Sequence, residues 1–278
     1  GDRKQLTHLP VVANRALGAN LLYPGTGYPC FVPDGRITFQ SFGDLDGSNK
    51  EGNLRNFVMN HDGSELQSVP LPVAGPGSRL VTTFGIAGAS VGRNAVALSV
   101  NGMPKNPNAF GAPISEIFLV NGESVLQLTK FDRVDTSIAA LTPDGRRVIF
   151  VASADPKGKN SSGTCQLFSI DTVAAGLRQL TRFSQPEYSV DGCNAFFPPG
   201  CAITPAGVDP VTGTLVFYSS CDPFGTNPDG DQLFAIHPDG THLRQLTHAR
   251  GEFTEADGTV SAENIGPFAY SATFSNHP

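Results

Sequence analysis

The chain consists of short apolar runs, some alternating with polar residues and some continuous, and nearly every run ends at a turn. "RITFQS", "NFVMN", "RRVIFVAS", "QLFSID", "TLVFYSS" and "QLFAIH" are the clearest. Runs this short, rich in β-branched and aromatic residues and bounded by turns, predict β-strands rather than helices. Between them stand "VPDGR", "NHDG", "TPDGR" and "HPDG". Glycine supplies the positive φ that a tight reversal needs, so the flanking runs fold back on each other as antiparallel hairpins. No apolar run approaches the roughly 18 residues of a membrane-spanning helix.

The strands recur as a unit. "RKQLTHLP", "VLQLTKFD", "LRQLTRFS" and "RQLTHAR" share a Gln-Leu-Thr core, and "LQSVPLP" is a worn copy. Aligned on Gln5, Ser68, Gln127, Gln179 and Gln245, the copies are spaced by 63, 59, 52 and 66 residues. An apolar strand precedes each of the last four copies, and a turn-closed hairpin precedes that strand. Each unit therefore reads as four antiparallel strands, a to d, with "AALT", "RVIFVAS", "QLFSI" and "LRQLT" as the type example. Four-stranded units of this length, repeated in one chain, predict an all-β propeller, because stacked blades cover faces that one blade cannot bury alone. One propeller domain is expected over 1–278, with five blades visible and room for a sixth. "GTVSAENIGPFAYSATFSN" is expected to give strands a and b of the last blade and "RKQLTH" its strand d, so that the two termini share it. The chain starts in mid-repeat, which predicts further residues upstream.

"SSCDPFGTNPDGDQLFAIHPDGTHLRQLT" resembles the TolB-like (WD40-like) propeller repeat of bacterial periplasmic and extracellular proteins. The shared pattern is S-x-x-D-x-x-G, then L-F-x-x-x-x-D-G, then Q-L-T. Residues 135–181 follow it well, 31–71 with a degraded end, and 80–129 in the second half. The resemblance implies the fold and a periplasmic or extracellular location. It leaves activity open, since this superfold carries binding scaffolds, lyases, hydrolases and peptidase accessory domains.

Strand order places the a–b and c–d turns on one face and the b–c and d–a loops on the other. The first set is tight and the second long and polar, so binding is expected on the b–c/d–a face. The leading expectation is a binding scaffold for a protein or glycan partner. The rivals are a propeller lyase or hydrolase, and a structural subunit that self-assembles through its last blade. Candidate residues in the d–a connections are His8, Arg133, Asp135, His248, Arg250 and Glu252.

Composition narrows the partners. Lysine and arginine number 19 against 25 aspartates and glutamates, a formal charge of −6 without long blocks. That balance does not suit a phosphate backbone, so nucleic acid is not an expected partner. The loop carrying Asp44, Asp46, Ser48, Asn49 and Glu51 offers the oxygen ligands that calcium takes. Gly47 breaks the EF-hand spacing, and a solvated Asx-rich turn is the competing reading. His237 and His242 flank one c–d turn while His248 follows strand d, so the three are not expected to share a metal. Gly88-Ala89-Ser90-Val91-Gly92 matches a nucleophile elbow but falls inside a hairpin, where the strand-to-helix turn is missing.

Of the five cysteines, Cys193 and Cys201 bracket a short loop and are the preferred bridge. Cys201 and Cys221, near the ends of one hairpin, are the alternative. A bridge would indicate an oxidising compartment, and buried free thiols are the competing reading. Asn160-Ser161-Ser162 is a formal N-glycosylation sequon.

Overall fold

A computed structural model of the chain describes residues 5–7, 26–31, 35–41, 43–50, 55–69, 82–87, 95–103, 114–121, 124–131, 136–184, 203–209, 211–227, 232–248, 252–254, 257–258 and 260–262. All regular structure among them is β-strand. The first sheet holds β1 (Thr26–Phe31), β2 (Ile37–Ser41), β3 (Arg55–Met59) and β4 (Gln67–Ser68). The second holds β5 (Thr82–Ala87), β6 (Ala95–Met103), β7 (Ile114–Asn121) and β8 (Ser124–Gln127). The third holds β9 (Ser137–Leu141), β10 (Arg147–Ala152), β11 (Gln166–Asp171) and β12 (Arg178–Gln179). The fourth holds β13 (Ile203–Val208), β14 (Leu215–Ser219), β15 (Gln232–Ile236) and β16 (Arg244–Gln245). In each, the strands pair antiparallel in chain order. This is the predicted a–b–c–d blade, and the fold is a β-propeller.

Blades meet face to face. β9 lies against β5 and β13, and β3 against β5. One core cluster runs from Ile117 and Leu119 of the second blade to Val148, Phe150 and Phe168 of the third. Another joins Ile149, Val151 and Leu167 of the third to Leu215, Phe217 and Phe234 of the fourth. The third blade thus buries both its faces, which is why "VIFVA" is apolar without alternation. Phe57, Phe168 and Phe234 hold one register position in their c strands, and each stacks on a b-strand phenylalanine, Phe39, Phe150 or Phe217, at 5.7 Å. In all four blades the innermost pair, a with b, carries a register irregularity. Such bulges add twist to the strands that line the axis.

The Gln-Leu-Thr core closes the second, third and fourth blades. The glutamine amide donates to the threonine carbonyl two residues on, from Gln127, Gln179 and Gln245 at 2.7, 2.9 and 2.7 Å. The threonine hydroxyl accepts an N–H of strand c, from Ile117, Leu167 and Leu233 at 2.9, 2.8 and 2.9 Å. It then donates to the side chain just before that N–H: Glu116, Gln166 at 2.8 Å, or Gln232 at 2.7 Å. Two strand residues in d suffice because side chains complete the edge.

The end of the chain departs from expectation. β17 (Glu252–Thr254) and β18 (Val260–Ala262) pair as a two-stranded sheet. This hairpin starts earlier than the run assigned to strands a and b, because Gly258 at φ +86° reverses the chain there. Residues 263–278 lie outside the described set. At the other end, Gln5 makes the same amide bond to the Thr7 carbonyl, at 2.7 Å. Leu6 lies at 3.5 Å from where a Cβ on Gly63 would sit, as Leu180 does at 3.4 Å for Gly240. The N-terminal segment therefore packs on the first blade as one blade's d strand packs on the next.

Candidate functional site

The long loops that leave strand b are built to one plan that the strand pattern does not announce. Asp44, Asp155 and Asp222 open a D-x-x-G-x-N sequence, "DLDGSN", "DPKGKN" and "DPFGTN". In each, the aspartate Oδ1 accepts the N–H of the asparagine five residues on, Asn49, Asn160 or Asn227, at 2.7, 2.7 and 2.8 Å. The intervening glycines, Gly47, Gly158 and Gly225, have φ of +81°, +65° and +69°. The asparagines are buried, and their amides donate back to carbonyls at the end of strand b. Asn160 Nδ2 reaches Ser153, Ala154 and Thr164 at 3.2, 3.1 and 2.7 Å. Asn227 Nδ2 reaches Ser219 and Cys221 at 3.3 and 2.9 Å. Each loop is an internally bonded arch with its asparagine inside and its tip in solvent. Lys157, Lys159 and Phe224 stand on the tips, and Phe224 is 48% exposed.

Asp44 and Asp46 of the calcium candidate have these N–H partners. Besides Asn49 on Asp44, Asp46 Oδ1 accepts from the Ser48 N–H and hydroxyl at 3.0 and 2.6 Å, and Oδ2 from the Ser68 N–H at 2.6 Å. Partial burial raises the Asp46 pKa, but the Ser48 and Ser68 bonds outweigh it and hold the carboxyl below its usual range. Glu51 lies outside the described residues.

Of the d–a candidates, His8, Arg133, Asp135 and Arg250 also lie outside them. His248 is exposed just past β16. Glu252 opens β17 opposite Ala262, so it is a strand residue rather than a loop residue. The histidines divide as the strand order requires. His237 and His242 stack at 4.4 Å across their c–d turn, on the face away from His248. β5 and β6 pair on either side of Ser90, the hairpin setting expected for the elbow-like sequence, whose own residues are outside the described set.

Cys165 and Cys221 are disulfide-bonded, at 7% and 2% exposure beside two of the arches. Bonding at Cys165 had no signal in the sequence. Cys193 and Cys201, the bridge preferred from spacing, are outside the described residues.

The sequence matches no family model and no curated protein. Solved structures do match. The chain is similar to a putative TolB from Agrobacterium tumefaciens, with 16% identity and a TM-score of 0.50, over 83% of this chain and 65% of that one. It is similar to the hydrazine synthase of Kuenenia stuttgartiensis, with 15% identity and a TM-score of 0.52, over 82% of this chain and 33% of that one. A third match is the β-propeller domain of the Trilobed protease from Pyrococcus furiosus, with 10% identity and a TM-score of 0.40, over 81% of this chain and 72% of that one. The chain thus spans less than two thirds of the first structure and a third of the second. At these identities the likeness is one of fold, and the fold it shares with the TolB-like structure is the one that the repeats predicted.

Proposed function

We propose that this protein is a periplasmic or extracellular propeller scaffold that binds a protein or glycan partner through its b–c/d–a face. The observation that carries the reading is the repeated arch. Three blades hold an internally bonded loop whose asparagine is buried and whose tip is exposed. A rigid loop on a rigid blade loses little conformational entropy on binding, which is what a recognition surface needs. Phe224 and the two lysines supply an aromatic anchor with cationic neighbours, residue types suited to interface centres and rims. Disulfide-bonded Cys165 and Cys221 support the compartment, since such bonds persist where the surroundings oxidise.

The test is site-directed photocrosslinking in the native host. A crosslinking amino acid replaces Lys157 or Phe224 on the loop face, or Val173, which is 72% exposed on the turn face. Adducts confined to the loop-face positions are expected. Adducts at Val173 alone, or at none of the three, would overturn the reading.

A further inference from the structure

The opposite face carries a cleft between the third and fourth blades. Its volume is about 440 Å³, and its walls are the Thr142–Arg147 turn with Arg178 of β12 on one side and the turns at Val211 and His237 of the fourth blade on the other. Two Pro-Asp-Gly turns, one from each blade, face each other across Gly213. A Cβ there would lie 3.2 Å from Pro238 Cγ and 3.3 Å from Pro143 Cδ. The floor is therefore two proline rings held apart by a residue with no side chain. Val211, 83% exposed, extends this apolar strip.

The polar groups on the rim are fixed but not spent. Asp239 Oδ1 accepts from the Thr241 N–H and hydroxyl at 2.9 and 2.7 Å, and Asp144 Oδ1 from the Thr142 hydroxyl and Arg146 N–H at 2.7 and 3.0 Å. The other oxygen of Asp239 has no bond among the described residues, and that of Asp144 has only Arg146 Nε at 3.9 Å. Arg147 is engaged, by Asp171, Ser169 and the Gly176 carbonyl. Arg178 lines the cleft without a hydrogen bond or ion pair among the described residues.

We infer that this cleft is a second binding site, on the face away from the proposed partner surface, and that it takes a short neutral saccharide. A strongly charged ligand is disfavoured, because two carboxylates and one unpaired guanidinium share the rim. Sugar hydroxyls suit both, donating to the carboxylate oxygens and accepting from the guanidinium. The C–H face of a pyranose fits the proline strip. The volume lies at the small end of ligand pockets, roughly 300–1,000 Å³, which suits one or two rings.

The probes are a printed array of neutral oligosaccharides and, beside it, an array of short unmodified peptides, followed by calorimetry with the best disaccharide. The chain is expected to bind on the sugar array. Arg178→Ala should weaken that binding about tenfold or more, the usual loss for a charge-assisted hydrogen bond. The same variant should keep its melting temperature, since the Arg178 side chain makes no hydrogen bond or ion pair among the described residues. The inference is overturned if no neutral sugar binds, if only peptides bind, or if Arg178→Ala binds sugar as the parent does. None of these outcomes bears on crosslinking at the loop face, so the two readings fail separately.

Discussion

At the scale of single residues, the repeat is explained by hydroxyls and amides that close backbone edges. Thr181 is buried, accepts the Leu167 N–H at 2.8 Å and donates to Gln166 at 2.8 Å. Thr181→Val keeps the shape and removes both bonds, leaving a buried N–H unpaired. A loss of about 1–3 kcal/mol is expected, measured as a shift in the urea midpoint at constant slope. The recurrence of Gln-Leu-Thr was legible in the sequence, but its reason was not, because the partner residue sits a strand away. The D-x-x-G-x-N arch is equally present in the letters, but polar loops carry no apolar period that would mark it. It also decides the fate of the sequon. Asn160 is 4% exposed and its amide is engaged three times. Intact mass of the protein secreted from a glycosylating host should therefore show Asn160 unmodified, and a glycan there would mean that the arch opens.

At the scale of the blade, the first unit shows what happens when the lock is lost. Arg55 stands where Glu116, Gln166 and Gln232 stand in the other blades, and Pro70 replaces the threonine. The next residue, Asn56, takes the position of Ile117, Leu167 and Leu233. It is 0% exposed, and neither its amide nitrogen nor its oxygen has a partner among the described residues. Desolvated polar atoms without hydrogen bonds oppose folding. Asn56→Leu, which restores the aliphatic residue type of the other blades on a side chain with the same branching and number of heavy atoms, should raise stability by about 1–3 kcal/mol in urea unfolding. An unchanged or lowered midpoint would mean that the amide is satisfied by buried water or that the slot is built for a polar residue. Sequence alone marked this copy as worn. It could not show that the wear fell on a buried face, because the polar pair Arg55-Asn56 that precedes the apolar run reads like a strand end.

At the scale of the molecule, closure and compartment were the least legible features, because both depend on residues far apart in sequence. The N-terminal Gln-Leu-Thr packs where a d strand belongs, yet only the fold brings Leu6 to Gly63. Acid sensitivity should reflect two turns of the fourth blade. Asp209 and Asp239 are held below the usual carboxylate range by Thr212 and Thr241 respectively, chiefly through their hydroxyls. A depressed folded pKa contributes stability above the ordinary value of 3.8 that is lost as pH falls through the folded value. Melting temperature should thus hold from neutral pH down to about pH 4 and decline below it.

The disulfide chemistry makes the stronger demand. Cys165 and Cys221 belong to the same apolar cluster, between the third and fourth blades. Disulfide bonding of residues anchored in that cluster restrains the unfolded chain, by about 2–4 kcal/mol for a bond. Reduction under denaturing conditions and refolding in reductant should therefore lower the melting temperature by several degrees. Alkylation of the native, unreduced protein should leave Cys165 and Cys221 unmodified. If both alkylate after unfolding without reductant, they are thiols, and the case for an oxidising compartment loses its physical support.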